Sequence, residues 1–194
     1  MVRLRVIEDY AHDNNIPIML SDGIDFLVNY IKDNSVKSVL EIGSAIGYSA
    51  IRMALVGTDV HVTTIERDVD RYNMAVNNIN DMGLSNQIDI INCDAFDFST
   101  DDKFDLIFID AAKSQYIKFF EKFKVNLSFG GTIISDNLSF HGLVENPDLT
   151  NNRNTKQLVR KISKYIDFLK NNEEFTTTFI PIGDGIGISK KNID

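Results

Sequence analysis

Two apolar runs in this chain, FDLIFID at 104–110 and GTIISD at 131–136, have the length and the β-branched and aromatic content of buried strands. Each nevertheless ends on a carboxylate, Asp110 or Asp136, and Asn137 follows the second. Three further runs have the same form: SVLEIG at 38–43, VHVTTIE at 60–66 and IDIINCDA at 88–95. Between them, 46–57, 68–82 and 114–127 read as helices, and Val69, Tyr72, Val76 and Ile79 recur at the spacing of a core-facing helical stripe. Strands that alternate with helices must pair in parallel, because each crossover returns the chain to the same edge. Helices at roughly 1–14 and 21–34 precede this pattern as an N-terminal helical cap over 1–34. Leu158, Ile162, Tyr165 and Leu169 mark a later helix, and EFTTTFIP and GIGISK flank a Gly-Asp-Gly turn as a closing antiparallel hairpin. The expectation is one Rossmann-like, doubly wound α/β domain over 1–194, with a mostly parallel seven-stranded sheet.

The composition removes several function classes. No apolar stretch approaches the roughly 20 residues that span a bilayer, so no membrane role is expected. The start, MVRLRVIEDYAHD, carries acids and lacks the apolar centre of an export signal. A single cysteine, Cys93, precludes an internal disulfide and fits a cytoplasmic setting; within its apolar run it reads as a small buried hydrophobe. The net charge of −8 opposes general nucleic-acid affinity. One segment departs from that balance: 152–170 holds six basic side chains against one acid, Asp167.

Ligands of doubly wound sheets bind beyond the carboxyl ends of the strands. Those ends are Glu41-Ile-Gly43, Glu66, Asp94, Asp110 and Asp136-Asn137, all acidic. Acids also cap helices and open turns, so each alone has an ordinary structural explanation; five along one edge point to a binding cleft. The first turn, EIGSAIGYSA, is neither a P-loop nor G-x-G-x-x-G, since Ala45 replaces the glycine that admits a pyrophosphate. It suits a nucleoside without phosphates. Glu66 is placed to accept from ribose hydroxyls, and Asp94-Ala95 lies where an adenine edge would reach, which favours S-adenosylmethionine over a dinucleotide. Asp110, Asp136 and Asn137 offer hard oxygen donors of the kind Mg²⁺ prefers. Lys113 follows Asp110 by three residues; beside a dication its ammonium is repelled towards the neutral form, which makes it a candidate general base.

The stretches LEIGSAIGYSA, TIERD, CDA, FIDAAKSQYIKFFE and IISDNLSFHGLV resemble the metal-dependent class I O-methyltransferases of the catechol and caffeoyl-CoA type. From about Ile16 to Lys191, with the tail IPIGDGIGISKK, the resemblance is closest to the bacterial tRNA 5-hydroxyuridine methyltransferases. It implies that Met19, Gly43, Ser49, Glu66, Asp94, Ala95 and Asp110 line the S-adenosylmethionine site. It implies Asp110, Asp136 and Asn137 as ligands of Mg²⁺ or Mn²⁺, Lys113 as the base, and a homodimer. Cys93 departs from the glycine usual before DA.

Three readings follow. In the first, the acceptor is the wobble 5-hydroxyuridine of tRNA, with Lys156, Arg160 and Lys164 on one helical face and Arg153 a turn earlier contacting phosphates. In the second it is a small catechol or phenylpropanoid ester, and the basic stripe is a solvated helix face. In the third the chain binds an adenosine nucleoside without catalysis. The first two share one requirement, a vicinal pair of oxygens able to chelate a metal.

Overall fold

The computed structural model describes residues 2–192, so Met1 and residues 193–194 of the expected 1–194 domain lie outside the described residues. Two helices, α1 (Val2–Asp13) and α2 (Ser21–Asp33), lead into β1 (Ser38–Ile42), α3 (Tyr48–Ala54), β2 (His61–Glu66), α4 (Val69–Asp81) and β3 (Ile88–Asn92). β4 (Phe104–Ile109), α5 (Tyr116–Phe123), β5 (Leu127–Ser135), α6 (Arg153–Lys170), β6 (Phe175–Ile180) and β7 (Ile186–Lys191) follow. The strands form one seven-stranded sheet in the order β3-β2-β1-β4-β5-β7-β6. β1 to β5 pair in parallel, and β7 is antiparallel to both β5 and β6.

Alternation along each central strand supplies two cores. In β1 and β4, Val39, Leu106 and Phe108 face α1 to α4 with Ile24, Leu27 and Ile51, whereas Leu40, Ile107 and Ile109 face α5 and α6 with Phe120, Ile162 and Tyr165. With both faces covered, the central strands read as continuous apolar runs. Phe120 is fully buried and meets Phe168 and Phe175 edge-on at centroid distances of 5.3 and 4.9 Å.

Helix ends follow local chemistry. The Asp68 side chain accepts from the N–H groups of Asp70 and Arg71 at the start of α4, and Asn152 does the same for Asn154 and Thr155 at α6. Gly83, with φ +72°, follows the last turn of α4 as the expected stop.

Three boundaries differ from the sequence expectation. The helix expected over 114–127 is α5 flanked by short 3₁₀ turns at Lys113–Gln115 and Lys124–Asn126, and the chain is already in β5 at Leu127. The Gly130-Gly131 pair masks that early start: φ is +74° at Gly130, and the β4–β5 register shifts between Phe104 and Leu106. β3 ends at Asn92, so Cys93 is half-buried in the following loop, not part of a buried strand.

Candidate functional site

The carboxyl ends of β1, β2, β3, β4 and β5 open into a cleft of about 660 Å³. Met19, Gly43, Ser49, Glu66, Asp94 and Ala95 line it, as do Asp110, Lys113 and Asn137. At its base, Gly43 has φ +98° and a Cβ there would collide with the Asp110 carbonyl oxygen, so the backbones of the first and fourth turns touch. Ala45 is also left-handed, at φ +46°. Its N–H donates to Glu66 Oε2 at 2.9 Å, while Glu66 Oε1 accepts from the Asp68 N–H at 2.9 Å. Glu66 thereby ties the first turn to the second and keeps lone pairs for a ligand. Asp94 accepts from the Phe96 N–H and lies 3.9 Å from Arg67, which lines the cleft with Arg71.

Glu41 departs from the expected row of acids at the sheet edge. It is inside β1, wholly buried, and accepts hydroxyl hydrogen bonds from Ser49 on Oε1 and from Thr64 on Oε2 at 2.5 Å. Burial pushes its carboxyl up to about 7 against the lowering effect of the two hydroxyls. Its contribution to the cleft is made through Ser49.

At the other end, Asp110 and Asn137 line the cleft, Asn137 with φ +59°, whereas Asp136 is 2 % exposed and buried behind that lining. Burial, then the neighbouring Asp110 charge, pushes Asp136 up to about 7; burial also raises Asp110, against the lowering influence of Lys113. Asp136 Oδ1 is buried without a hydrogen-bond partner, an arrangement that costs energy unless a ligand or cation completes it. Among the described residues no three or more His, Cys, Asp or Glu side chains are grouped to hold a metal. The candidate set is two carboxylates plus an amide carbonyl, which fits a hard dication in donor type and charge. Tyr116, buried below, donates its hydroxyl to the Asp136 carbonyl at 3.1 Å.

The basic stripe stands apart from the cleft lining. Arg153, Arg160 and Lys164 are exposed and Lys156 is half-buried; none is in an ion pair among the described residues. Their helix, α6, packs against the Lys113–Gln115 turn, which forms part of the cleft wall. Asp184, within the turn between β6 and β7, is a site residue that sequence reasoning missed: it is 6 % exposed and lines the cleft with Phe140 and His141. Gly-Asp-Gly is ordinary turn chemistry, so no local signal separates it from a plain hairpin.

A candidate caffeoyl-CoA O-methyltransferase of Staphylococcus aureus is 38% identical, with a TM-score of 0.93 over 97% of this chain and 92% of that one. A caffeoyl-CoA O-methyltransferase of Populus kitakamiensis is 29% identical over 98% of this chain and 84% of its own. The fold is also that of a Bacillus cereus O-methyltransferase solved with SAH, at 22% identity and a TM-score of 0.84 over 99% and 91% of the two chains. The sequence profile described as O-methyltransferase matches residues 3–192, and by that near-complete match the chain belongs to the O-methyltransferase family.

Proposed function

We propose that this protein transfers the methyl group of S-adenosylmethionine to a hydroxyl that has a second oxygen on the adjacent ring carbon. Asp110, Asp136 and Asn137 would hold a divalent cation, Mg²⁺ or Mn²⁺. The observation that carries this reading is the unpartnered Asp136 Oδ1, buried behind the part of the cleft wall that Asp110 and Asn137 line. A bound cation there would supply Lewis acidity that favours the ionised acceptor hydroxyl. The chain's own residues do the rest. Glu66, Asp94 and the Gly43 turn, which line the cleft, bind the nucleoside. Lys113 Nζ takes the hydroxyl proton. The freed oxygen pair then attacks the methyl carbon as the carbon–sulfur bond breaks, and sulfur keeps that electron pair as a neutral thioether. Holding donor and acceptor in line is the larger part of the work.

The acceptor we favour is the wobble 5-hydroxyuridine of tRNA. Arg153 to Lys164 spans about 16 Å at 1.5 Å per residue, enough to follow successive backbone phosphates, and these cations are free of ion pairs among the described residues. A second reading, a caffeoyl-CoA-like ester or simpler catechol, is favoured by the names of the relatives; the phosphates of coenzyme A would also meet a basic stripe.

Purified protein with S-adenosylmethionine and Mg²⁺ should convert 5-hydroxyuridine to 5-methoxyuridine in tRNA from a strain lacking the gene, with steep salt dependence. Transfer to caffeoyl-CoA or catechol alone would move the assignment to the second reading. SAH binding with no transfer to any of them would leave an adenosine-nucleoside binder and refute the enzymatic one.

A further inference from the structure

The turn between β6 and β7 closes over the segment that follows Asp136 and Asn137. Leu138 N–H donates to the Gly185 carbonyl at 2.9 Å, and Ser139 N–H donates to the Asp184 carbonyl at 2.7 Å. A Cβ at Gly185 would lie 2.7 Å from the Ser139 nitrogen, so only glycine permits this approach. The clamped segment is unusual in its backbone: Asn137, Phe140 and His141 have φ of +59°, +49° and +59°. Each left-handed non-glycine residue costs roughly 1–2 kcal/mol, and such strain gathers where side-chain placement matters.

The Asp184 carboxylate is committed on one side only. Oδ1 accepts the His141 main-chain N–H, whereas Oδ2 is buried without a hydrogen-bond partner and lies 3.7 Å from His141 Nδ1. At that separation there is no hydrogen bond, but the nearby carboxylate charge favours the imidazole tautomer that carries its hydrogen on Nδ1 and faces it. Nε2 is then the free acceptor on a ring that is 73 % exposed at the cleft. Phe140 stands between the two polar side chains of this wall, its ring centroid 5.4 Å from that of His141 and 5.9 Å from Lys113 Nζ.

We infer that His141 is a further acceptor-binding residue and Asp184 its positioning residue: Nε2 accepts a hydrogen bond from an N–H or O–H on the acceptor ring, beyond the vicinal oxygen pair. This rests on the proposed methyltransferase reading and sharpens it. A uracil ring carries such a donor in its imide N–H; a catechol ring has none beyond its two hydroxyls. The pair therefore selects a hydroxylated pyrimidine over a catechol.

Calorimetric titration of the SAH-loaded protein with Mg²⁺ and a 5-hydroxyuridine-bearing oligoribonucleotide tests this. His141→Ala should weaken oligonucleotide binding about 5- to 10-fold, the effect of one lost hydrogen bond, with catechol and SAH binding unchanged. Asp184→Asn keeps an acceptor for the His141 N–H but turns an amide donor towards Nδ1, and should cause a similar loss. The double variant should lose no more than either single one. His141→Gln, whose amide oxygen reaches the position of Nε2 unaided, should recover binding and become insensitive to Asp184→Asn. Unchanged oligonucleotide binding in His141→Ala, equal losses for catechol, or additive losses in the double variant would overturn the inference alone. SAH binding without oligonucleotide binding in the wild-type protein would overturn the tRNA reading and this inference with it.

Discussion

Glu41→Gln should stabilise the protein in mildly alkaline solution and leave it unchanged in acid. The wild-type carboxyl is wholly buried in β1, and the Ser49 and Thr64 hydroxyls offset only part of the cost of ionising it there. An unfolded glutamate releases its proton near 4.5, whereas Glu41 in the fold retains it to about 7. Between those values the folded state binds the extra proton, so stability is full below the lower one and falls as pH rises through the upper one. At about 1.4 kcal/mol per pH unit, that gap amounts to about 3 kcal/mol by pH 8. Glutamine has nearly the same shape and no proton to lose. The difference between variant and wild type should therefore be near zero at pH 4, about 1 kcal/mol at pH 5 and about 3 kcal/mol at pH 8, the last worth about 6–12 °C in Tm for a chain of this length. Asp110 and Asp136 are raised in both proteins and most of their tilt cancels, which leaves in the difference curve the Glu41 carboxyl and its repulsion with Asp110. Urea unfolding from pH 4 to 8.5 with constant m measures it. A flat difference, or a variant weaker than wild type at pH 8, would refute the buried-carboxyl account.

Other expectations concern the cleft and the cores. Asp136→Asn should weaken Mg²⁺ binding by more than about 10-fold in calorimetric titration while SAH still binds. Gly43→Ala should cost about 2–4 kcal/mol, from the left-handed φ and the collision with Asp110, and abolish SAH binding measured on the folded fraction. Phe120→Ala, which empties the centre of an aromatic cluster, should cost about 3–5 kcal/mol in urea unfolding. Replacing Lys156, Arg160 and Lys164 by Ala should leave stability within about 0.5 kcal/mol and flatten the slope of log affinity for tRNA against log salt by about 2–3.

The doubly wound sheet was legible because its central strands are buried on both faces and end where the apolar run ends, as FDLIFID does at Asp110. The turn residues around Gly43 and the acids at Glu66, Asp94 and Asp110 were legible for the same reason: a polar side chain that closes such a run lies at the sheet edge. What escaped was set by distant contacts. Nothing local marks Leu127 as a strand residue, because its pairing partner Phe104 is far away in sequence and Gly130-Gly131 breaks the alternation. Asp184 and His141 lie far apart in sequence and meet only because β7 pairs with β5. Glu41 reads as an edge acid one residue too early, and only three-dimensional packing against Ser49 and Thr64 shows that it never reaches the opening.

The order of the last strands has a consequence for synthesis. β6 leaves the ribosome before β7 yet joins the sheet only through it, since β7 lies between β5 and β6. Until residues 186–191 emerge, 175–180 has no partner and the outer flank of β5 offers unpaired amides and carbonyls to any neighbouring chain. Nascent molecules are thus prone to mispairing until β7 has emerged, and the clamp on Leu138 to His141 cannot form before residues 184–185 are made.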